Sequence, residues 1–235
     1  MHPILRDRFQ PSLRVNLRLL QTDLQRCVKD MWHLLRSGSE LRRATKGRTG
    51  LLLHVGCGSL VLPGWINVDA DPKPRQAQGE RALYWNMMNP LPLADGSVRR
   101  IHCEHFLEHL RFDYAEKFLA ECRRVLEPGG SMRLIVPDAG RYMTAYAVND
   151  MSFFGKLDGL GGASNLETKA AICSQMFHMW GDHLFGWDFE TLERSCRKAG
   201  FTSIAPAAWN DRAGGYDVDG QDWWRPHESL YAEIS

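Results

Sequence analysis

The sequence is poor in most features that would assign it to a special class at once. It has no apolar run approaching the roughly 18–20 residues of a membrane span, so no transmembrane helix is expected. Its six cysteines, Cys27, Cys57, Cys103, Cys122, Cys173 and Cys196, include no Cys-x-x-Cys pair. That argues against a zinc ribbon or a thioredoxin-type redox centre. Met1 to Arg8 hold no apolar stretch of signal-peptide length. The expectation is free thiols in a reducing compartment and a cytoplasmic protein, with the inner membrane face as a place of peripheral contact. Net charge is only +1, so the molecule as a whole has no bulk attraction to nucleic acid. Internal repeats, low-complexity tracts and a recognisable RNA-binding module are also lacking.

What is present is an ordinary globular composition, 44% hydrophobic and 24% charged over 235 residues. That length suits one α/β domain with a substantial core and a short appendage. The charge is unevenly spread. Residues 1–50 hold 11 Lys/Arg against 4 Asp/Glu, which leaves 18 against 24 for the rest. A basic arm therefore precedes an acidic body. Within the arm, Leu13, Leu17, Leu20, Leu24, Val28, Met31 and Leu35 recur at helical steps, punctuated by Arg14, Arg18, Arg26, Lys29 and Arg36. Residues 12–36 are read as an amphipathic helix. Its stripe either packs on the domain or meets an anionic membrane surface, a partner helix or RNA. Ser37-Gly-Ser39 ends the helix, and a polar, basic linker follows. The chain thus divides into an N-terminal helix and linker, 1–49, and a main domain, 50–235.

From Leu51 the pattern is one of short apolar runs alternating with helical periods. Strands are expected at Leu51–Val55, Trp65–Val68, Arg81–Trp85, Val98–Cys103 and Ser131–Val136, then Phe201–Ala208 and Glu228–Ile234. Helices are expected at Asp113–Leu126, Ala139–Val148, Glu167–Met179 and from an Asp188 cap to Ala199. Strands alternating with helices imply a doubly wound, mostly parallel sheet of seven strands. The last two strands, joined by a loop, imply an antiparallel final strand.

Chemistry concentrates at the ends of these strands, where ligands bind in open α/β sheets. Leu51-Leu-Leu-His-Val-Gly-Cys-Gly58 runs a buried strand into a Gly-x-Gly turn. Gly64-Trp-Ile-Asn-Val-Asp69 ends in a carboxylate able to accept from both hydroxyls of a ribose. Asn86 stands where an amide can read an adenine edge. His105-Phe-Leu-Glu-His109-Leu follows the fourth strand, and Leu126-Glu-Pro-Gly-Gly130 precedes the fifth, which ends Val136-Pro-Asp138. A dinucleotide-binding dehydrogenase is disfavoured because Gly56-Cys-Gly-Ser-Leu-Val-Leu has no third glycine at the fingerprint spacing.

In order and spacing these elements resemble the class I S-adenosylmethionine-dependent methyltransferases, in their type 11 branch, over roughly residues 50–205. The resemblance implies a Rossmann-like fold and S-adenosylmethionine as cofactor. It implies Gly56, Cys57 and Gly58 at the methionine part, Asp69 at the ribose and Asn86 at the adenine. His54 stands where the family has an acid near the cofactor's amino group, and Glu104 closes the fourth strand within the cofactor set. Phe106-Leu-Glu-His109 matches the family's Leu-Glu-His element, and Leu126 to Gly130 its Leu-x-Pro-Gly-Gly turn. The tail Glu228-Ser-Leu-Tyr-Ala-Glu-Ile is similar to that of a bacterial subgroup linked to cell-surface polysaccharides.

The sequence departs from the family in three places. A protonated His54 would repel the sulfonium and ammonium charges. Seven residues between Gly58 and Ile66 are too few for the usual crossover helix, which needs a dozen or more. The N-terminal helix is then the candidate to fill that space. Asn86 replaces the commoner Asp.

Methyl transfer from a sulfonium relies largely on alignment. A hydroxyl acceptor also needs a base, for which His105 and His109 are the candidates, with Glu108 orienting them. Asp138 either touches the acceptor or caps the next helix. The aromatic stretch 175–190 reads as a lid or as a hydrophobic cap. His178, Asp182 and His183 are of metal-binding type but lack a spacing signature, so no metal is assigned. The expected reaction is methylation of a small-molecule or glycan hydroxyl. The alternatives are an RNA or protein methyltransferase guided by the basic arm, and a binding protein that keeps the fold without catalysis.

Overall fold

A computed structural model of the chain describes residues 28, 38–70, 82–157, 166–211 and 218–235. The helix expected at 12–36 lies outside the described residues, apart from Val28, which is helical. The segment read as a linker differs from expectation, since residues 38–45 form a helix, α1. Leu41 on α1 is fully buried in the main core, and Gly38 is close enough to Trp85 that a side chain would press on the indole. The apolar Leu41 and the small Gly38 and Ala44 supply the contact face that the surrounding arginines hide in a composition count.

Seven strands follow, β1 (Leu51–Val55), β2 (Ile66–Asp69), β3 (Leu83–Tyr84), β4 (Val98–Glu104), β5 (Leu126–Pro137), β6 (Ile204–Ala207) and β7 (Ser229–Ile234). They form one sheet in the order β3-β2-β1-β4-β5-β7-β6. Only β7 runs against its neighbours β5 and β6. This is the doubly wound sheet expected, with its reversed last strand inserted beside β5. The Pro128-Gly129-Gly130 turn sits inside β5. Val98 pairs with Leu126 and Arg100 with Ser131, so the intervening residues loop out of the ladder.

The helices are α2 (Phe112–Val125), α3 (Ala139–Ala147), α4 (Met151–Gly155), α5 (Lys169–His178), α6 (Phe189–Lys198) and the short α7 (Arg225–Glu228). Asp138, Asp150, Thr168 and Asp188 each accept a backbone N–H as N-caps of α3 to α6. These contacts satisfy donors that a helix start leaves unpaired. Phe118, Leu119 and Cys122 of α2 and Leu192 and Cys196 of α6 join Ile101, Cys103 and Leu134 in the core on one sheet face.

The opposite face is polar. Arg100, His102 and Glu104 alternate along β4 with Ile101 and Cys103, and all three are buried. The Arg100 guanidinium donates to both oxygens of Glu233 at 2.7 Å. Arg133 on β5 donates to Asp219, Glu233 and the Ala208 carbonyl. Among the described residues, loops rather than a crossover helix lie here. The connection from β1 to β2 has no helix, and Asn67 fastens it, with its amide donating to the carbonyls of Leu62 and Trp65 and accepting from Leu62 N–H. A second core of Tyr142, Phe153, Phe154, Leu157 and Met176 joins α3, α4 and α5 into a cap.

Candidate active site

The glycine turn and the β2 carboxylate meet as the sequence suggested. Gly58 N–H donates to Asp69 Oδ2 at 2.8 Å, and Cys57 N–H to the Val68 carbonyl at 3.2 Å. Gly56 and Gly58 both have left-handed backbones, φ +63° and +50°. Their surroundings differ. A Cβ on Gly56 would fall 2.6 Å from the Phe106 side chain, whereas one on Gly58 meets nothing within 4 Å. Gly56 is thus glycine because Phe106 packs on it, and Gly58 opens a face beside the carboxylate. Trp85 N–H donates to the Asp69 carbonyl, which brings the β3 end alongside. Asn86 there accepts from Met88 N–H in a tight turn. Cys57 is buried, and burial raises its thiol to about 12, so it remains neutral.

Two residues assigned to the cofactor are turned inward. His54 is 2% exposed and sits 3.0 Å from Asn67 Oδ1. That oxygen belongs to an amide whose nitrogen already donates twice, so His54 Nδ1 carries the proton. Burial, then neighbouring His102, lowers its pKa to about 3. The feared repulsion between His54 and a sulfonium does not arise, and the residue positions the β1–β2 loop instead. Glu104 lies 2.8 Å from Arg225 Nη1, accepts from Gly220 N–H and lies 3.3 Å from His102 Nε2. Burial opposes its ionisation, but these partners hold its pKa near 2. Its carboxylate fastens the loop after Val218 to the sheet. Two-residue alternation carries both side chains to the polar sheet face.

Past β4 the chain bends sharply. His105 has φ +48°, a left-handed conformation that costs a residue other than glycine of order 1–3 kcal/mol. Its N–H donates to Ile135 O, its Nε2 is 2.8 Å from Ser229 Oγ, and its Nδ1 is 3.4 Å from Glu108 Oε1. Its ring stands edge-on to Trp224 at 5.2 Å. Glu108 is 1% exposed on a single 3-10 turn, Leu107–His109. Burial raises its pKa, but contact with His105 and then the nearby His109 outweigh this, so the group stays below the ordinary carboxylate range. His109 is more open and bonds through Nδ1 to the Asp182 carbonyl at 2.9 Å.

Asp138 takes the capping role. Its Oδ1 accepts Arg141 N–H, and burial raises its pKa. It lies at one wall of an open groove of about 670 Å³ that also meets Arg141, Lys156, Asp188, Phe153 and Phe189. His227 and Leu230 line the same groove, and between them Ser229 reaches His105. Ser229, Arg225 and Asn67 escaped the reading of the sequence as site residues. The tail around Glu228-Ser-Leu was the one signal that pointed to Ser229.

Residues 53–134 match the family described as a methyltransferase domain. No curated protein matches the chain by sequence. Among solved structures, an S-adenosylmethionine-dependent methyltransferase from Archaeoglobus fulgidus superposes with a TM-score of 0.50 at 14% identity, covering 86% of this chain and 93% of that one. A Thermotoga maritima protein described as a possible histamine N-methyltransferase gives 0.47 at 16% identity, covering 92% and 96%. At such identities the likeness concerns the fold. Over residues 53–134 the chain matches a methyltransferase domain of the type 11 branch, and its sheet has the fold of the class I S-adenosylmethionine-dependent methyltransferases. The match indicates an S-adenosylmethionine-dependent methyltransferase. The open face at Gly58, with the Asp69 carboxylate beside it and Asn86 beyond, fits the adenosyl and methionine parts of that cofactor.

Proposed function

We propose that the enzyme methylates a hydroxyl group of a polyhydroxylated small molecule or glycan in the cytoplasm. The observation that carries this reading is His105, set in a strained backbone at the end of β4 between Ser229 Oγ and the buried Glu108 carboxylate. A hydroxyl must lose its proton as it is methylated, and an imidazole is the side chain suited to take it near neutral pH. Glu108 is placed to steady the imidazolium that results. The polar groove beyond Asp138 supports the acceptor class. Its carboxylates and cations offer hydrogen bonds to hydroxyls, and Phe153 and Phe189 offer apolar faces for a sugar ring.

When bound, the cofactor supplies an activated methyl group on sulfur. Asp69 and the glycine turn would hold it, and this chain's own residues would align the acceptor hydroxyl with that methyl group and take up its proton. The acceptor proton would pass to His105 Nε2, displacing its contact with Ser229 Oγ, while Nδ1 faces Glu108. His109 takes part through the 3-10 turn that it shares with Glu108, and Asp138 shapes the groove by capping α3.

The test is a screen of nucleotide sugars and glycans with the purified enzyme, followed by His105→Ala. Turnover should fall by about 10²–10⁴-fold, the usual worth of a general base, with cofactor affinity unchanged. Turnover equal to the parent's would remove His105 as the base.

A further inference from the structure

Behind His105 a second set of side chains converges, in which Glu108 meets His183 as well as the two histidines already described. Glu108 is 1% exposed, and neither of its carboxylate oxygens has a hydrogen bond. The nearest nitrogens are His105 Nδ1 at 3.4 Å and His109 Nε2 at 3.9 Å. Burying a carboxylate so sparsely supported is costly unless something positive shares its site.

Two histidines face the same point. His109 bonds through Nδ1 to the Asp182 carbonyl, and His183 through Nδ1 to the Met176 carbonyl at 2.6 Å. A carbonyl only accepts, so each ring carries its proton on Nδ1 and leaves Nε2 as a lone pair. A backbone carbonyl holding one ring nitrogen so that the other is aimed is the arrangement that orients metal-binding histidines. The rings stand edge-on at 4.9 Å. One ligand atom each from Glu108, His109 and His183 all lie within 4.8 Å of one another.

The backbone is also prepared for this. Leu184 N–H and Phe185 N–H both donate to the Glu108 carbonyl, at 2.8 and 3.2 Å. The loop that carries His183 is thereby pinned to the residue that supplies the carboxylate, across a long span of sequence.

We propose that Glu108, His109 and His183 form a binding site for a divalent transition-metal ion. Two imidazoles and one carboxylate suit zinc, iron(II), cobalt(II) or manganese(II), and not the all-oxygen shells of calcium or magnesium. Ligand bonds of roughly 2.0–2.1 Å require the ligand atoms about 3.3 Å apart, so the site must tighten by up to about 1.5 Å. His109, whose side chain is 39% exposed, has the freedom to make that movement and gives the ion access from solvent. Three protein ligands leave a coordination position for water or an acceptor oxygen. This deepens the reading of a hydroxyl acceptor and rests on it for that last role alone. The site also revises the sequence reading, which assigned no metal and weighed His178, Asp182 and His183. Of those only His183 belongs to the cluster.

The experiment uses the full chain stripped with a chelator, titrated with Co²⁺ and Zn²⁺. One equivalent of Co²⁺ should give the intense visible bands of a low-coordinate nitrogen–oxygen site, and Zn²⁺ should displace them. His183→Ala and Glu108→Gln should each weaken Zn²⁺ binding at least tenfold, and the exposed His178→Ala should leave it unchanged. The two variants guard against one that fails to fold, since calorimetry with S-adenosylmethionine checks each sample. Stoichiometric metal retained by both variants, or none bound by the parent, overturns the site. Cofactor binding without metal binding leaves the methyltransferase reading intact. Metal binding by a chain that methylates no hydroxyl removes the acceptor reading and leaves the site standing.

Discussion

Alanine at Gly56 and at Gly58 should produce opposite defects, although the two glycines are separated by one residue and share a left-handed backbone. A side chain in that conformation costs about 1–2 kcal/mol. Replacing glycine also restricts the unfolded chain, which returns about 0.4–1 kcal/mol. At Gly58 those are the only terms, because nothing lies within 4 Å of the added carbon. Gly58→Ala should therefore lose no more than about 1.5 kcal/mol of stability. At Gly56 the new carbon meets three atoms of Phe106 at 2.6 Å, and Phe106 is itself packed against Phe118 at 5.4 Å between centroids. Overpacking of this kind costs a further ~1–3 kcal/mol, so Gly56→Ala should lose about 2–4 kcal/mol in all. Urea unfolding measures both, with an unchanged slope showing that the same surface is exposed. Calorimetry with S-adenosylmethionine then separates the roles. Gly58→Ala places a methyl on the open face beside Asp69 and should weaken cofactor binding at least tenfold, about 1.4 kcal/mol. Equal stability losses at the two positions would refute the packing argument. Parent-like affinity in Gly58→Ala would refute the placement of the cofactor on that face.

Further outcomes follow from other contacts. Asp69→Ala should weaken S-adenosylmethionine binding by roughly 1–3 kcal/mol through lost charged hydrogen bonds, and unchanged affinity in calorimetry would reject the ribose assignment. Asp219→Ala removes the bidentate partner of the buried Arg133 guanidinium, leaving it Glu233 at 3.4 Å and the Ala208 carbonyl, and should cost about 3 kcal/mol, read as a fall in the urea midpoint. A change below 1 kcal/mol, roughly, would mean that the pair is replaced by solvent. His54 has a folded pKa of about 3 against an ordinary 6.5, so the folded state binds fewer protons than the unfolded state between those values. Its contribution is constant above about pH 6.5 and is lost as pH falls towards 3, reaching about 2–3 kcal/mol by pH 4.5. His54→Gln should flatten that part of the stability profile, and a profile parallel to the parent's would show that His54 ionises freely when folded.

Much of the sheet was legible in the chain. Short apolar runs closed by glycine or aspartate marked β1 and β2, because a strand buried on its sheet face needs apolar residues over only a few positions. Asp188 and Gly200 bracketed α6 as a capping acid and a left-handed stop should. The glycine turn and Asp69 were legible too, since backbone freedom and a strand-end carboxylate are local properties. The helical residues 38–45 were missed because so many arginines and lysines surround the few apolar contacts. His54 and Glu104 were placed at the cofactor by position along the chain, yet the alternation of side chains along a strand sends both to the polar face.

The amino-acid order alone determined the strand-and-helix alternation, the glycine turn after β1 and the carboxylate that ends β2, all set within a few consecutive residues. Tertiary structure decided the rest. It turned His54 inward, spent Glu104 on Arg225, brought Ser229 to His105 and set His183 against Glu108 and His109. Those pairings join residues far apart in the chain, and only the stacking of parallel strands and the return of β7 beside β5 bring them within bonding distance.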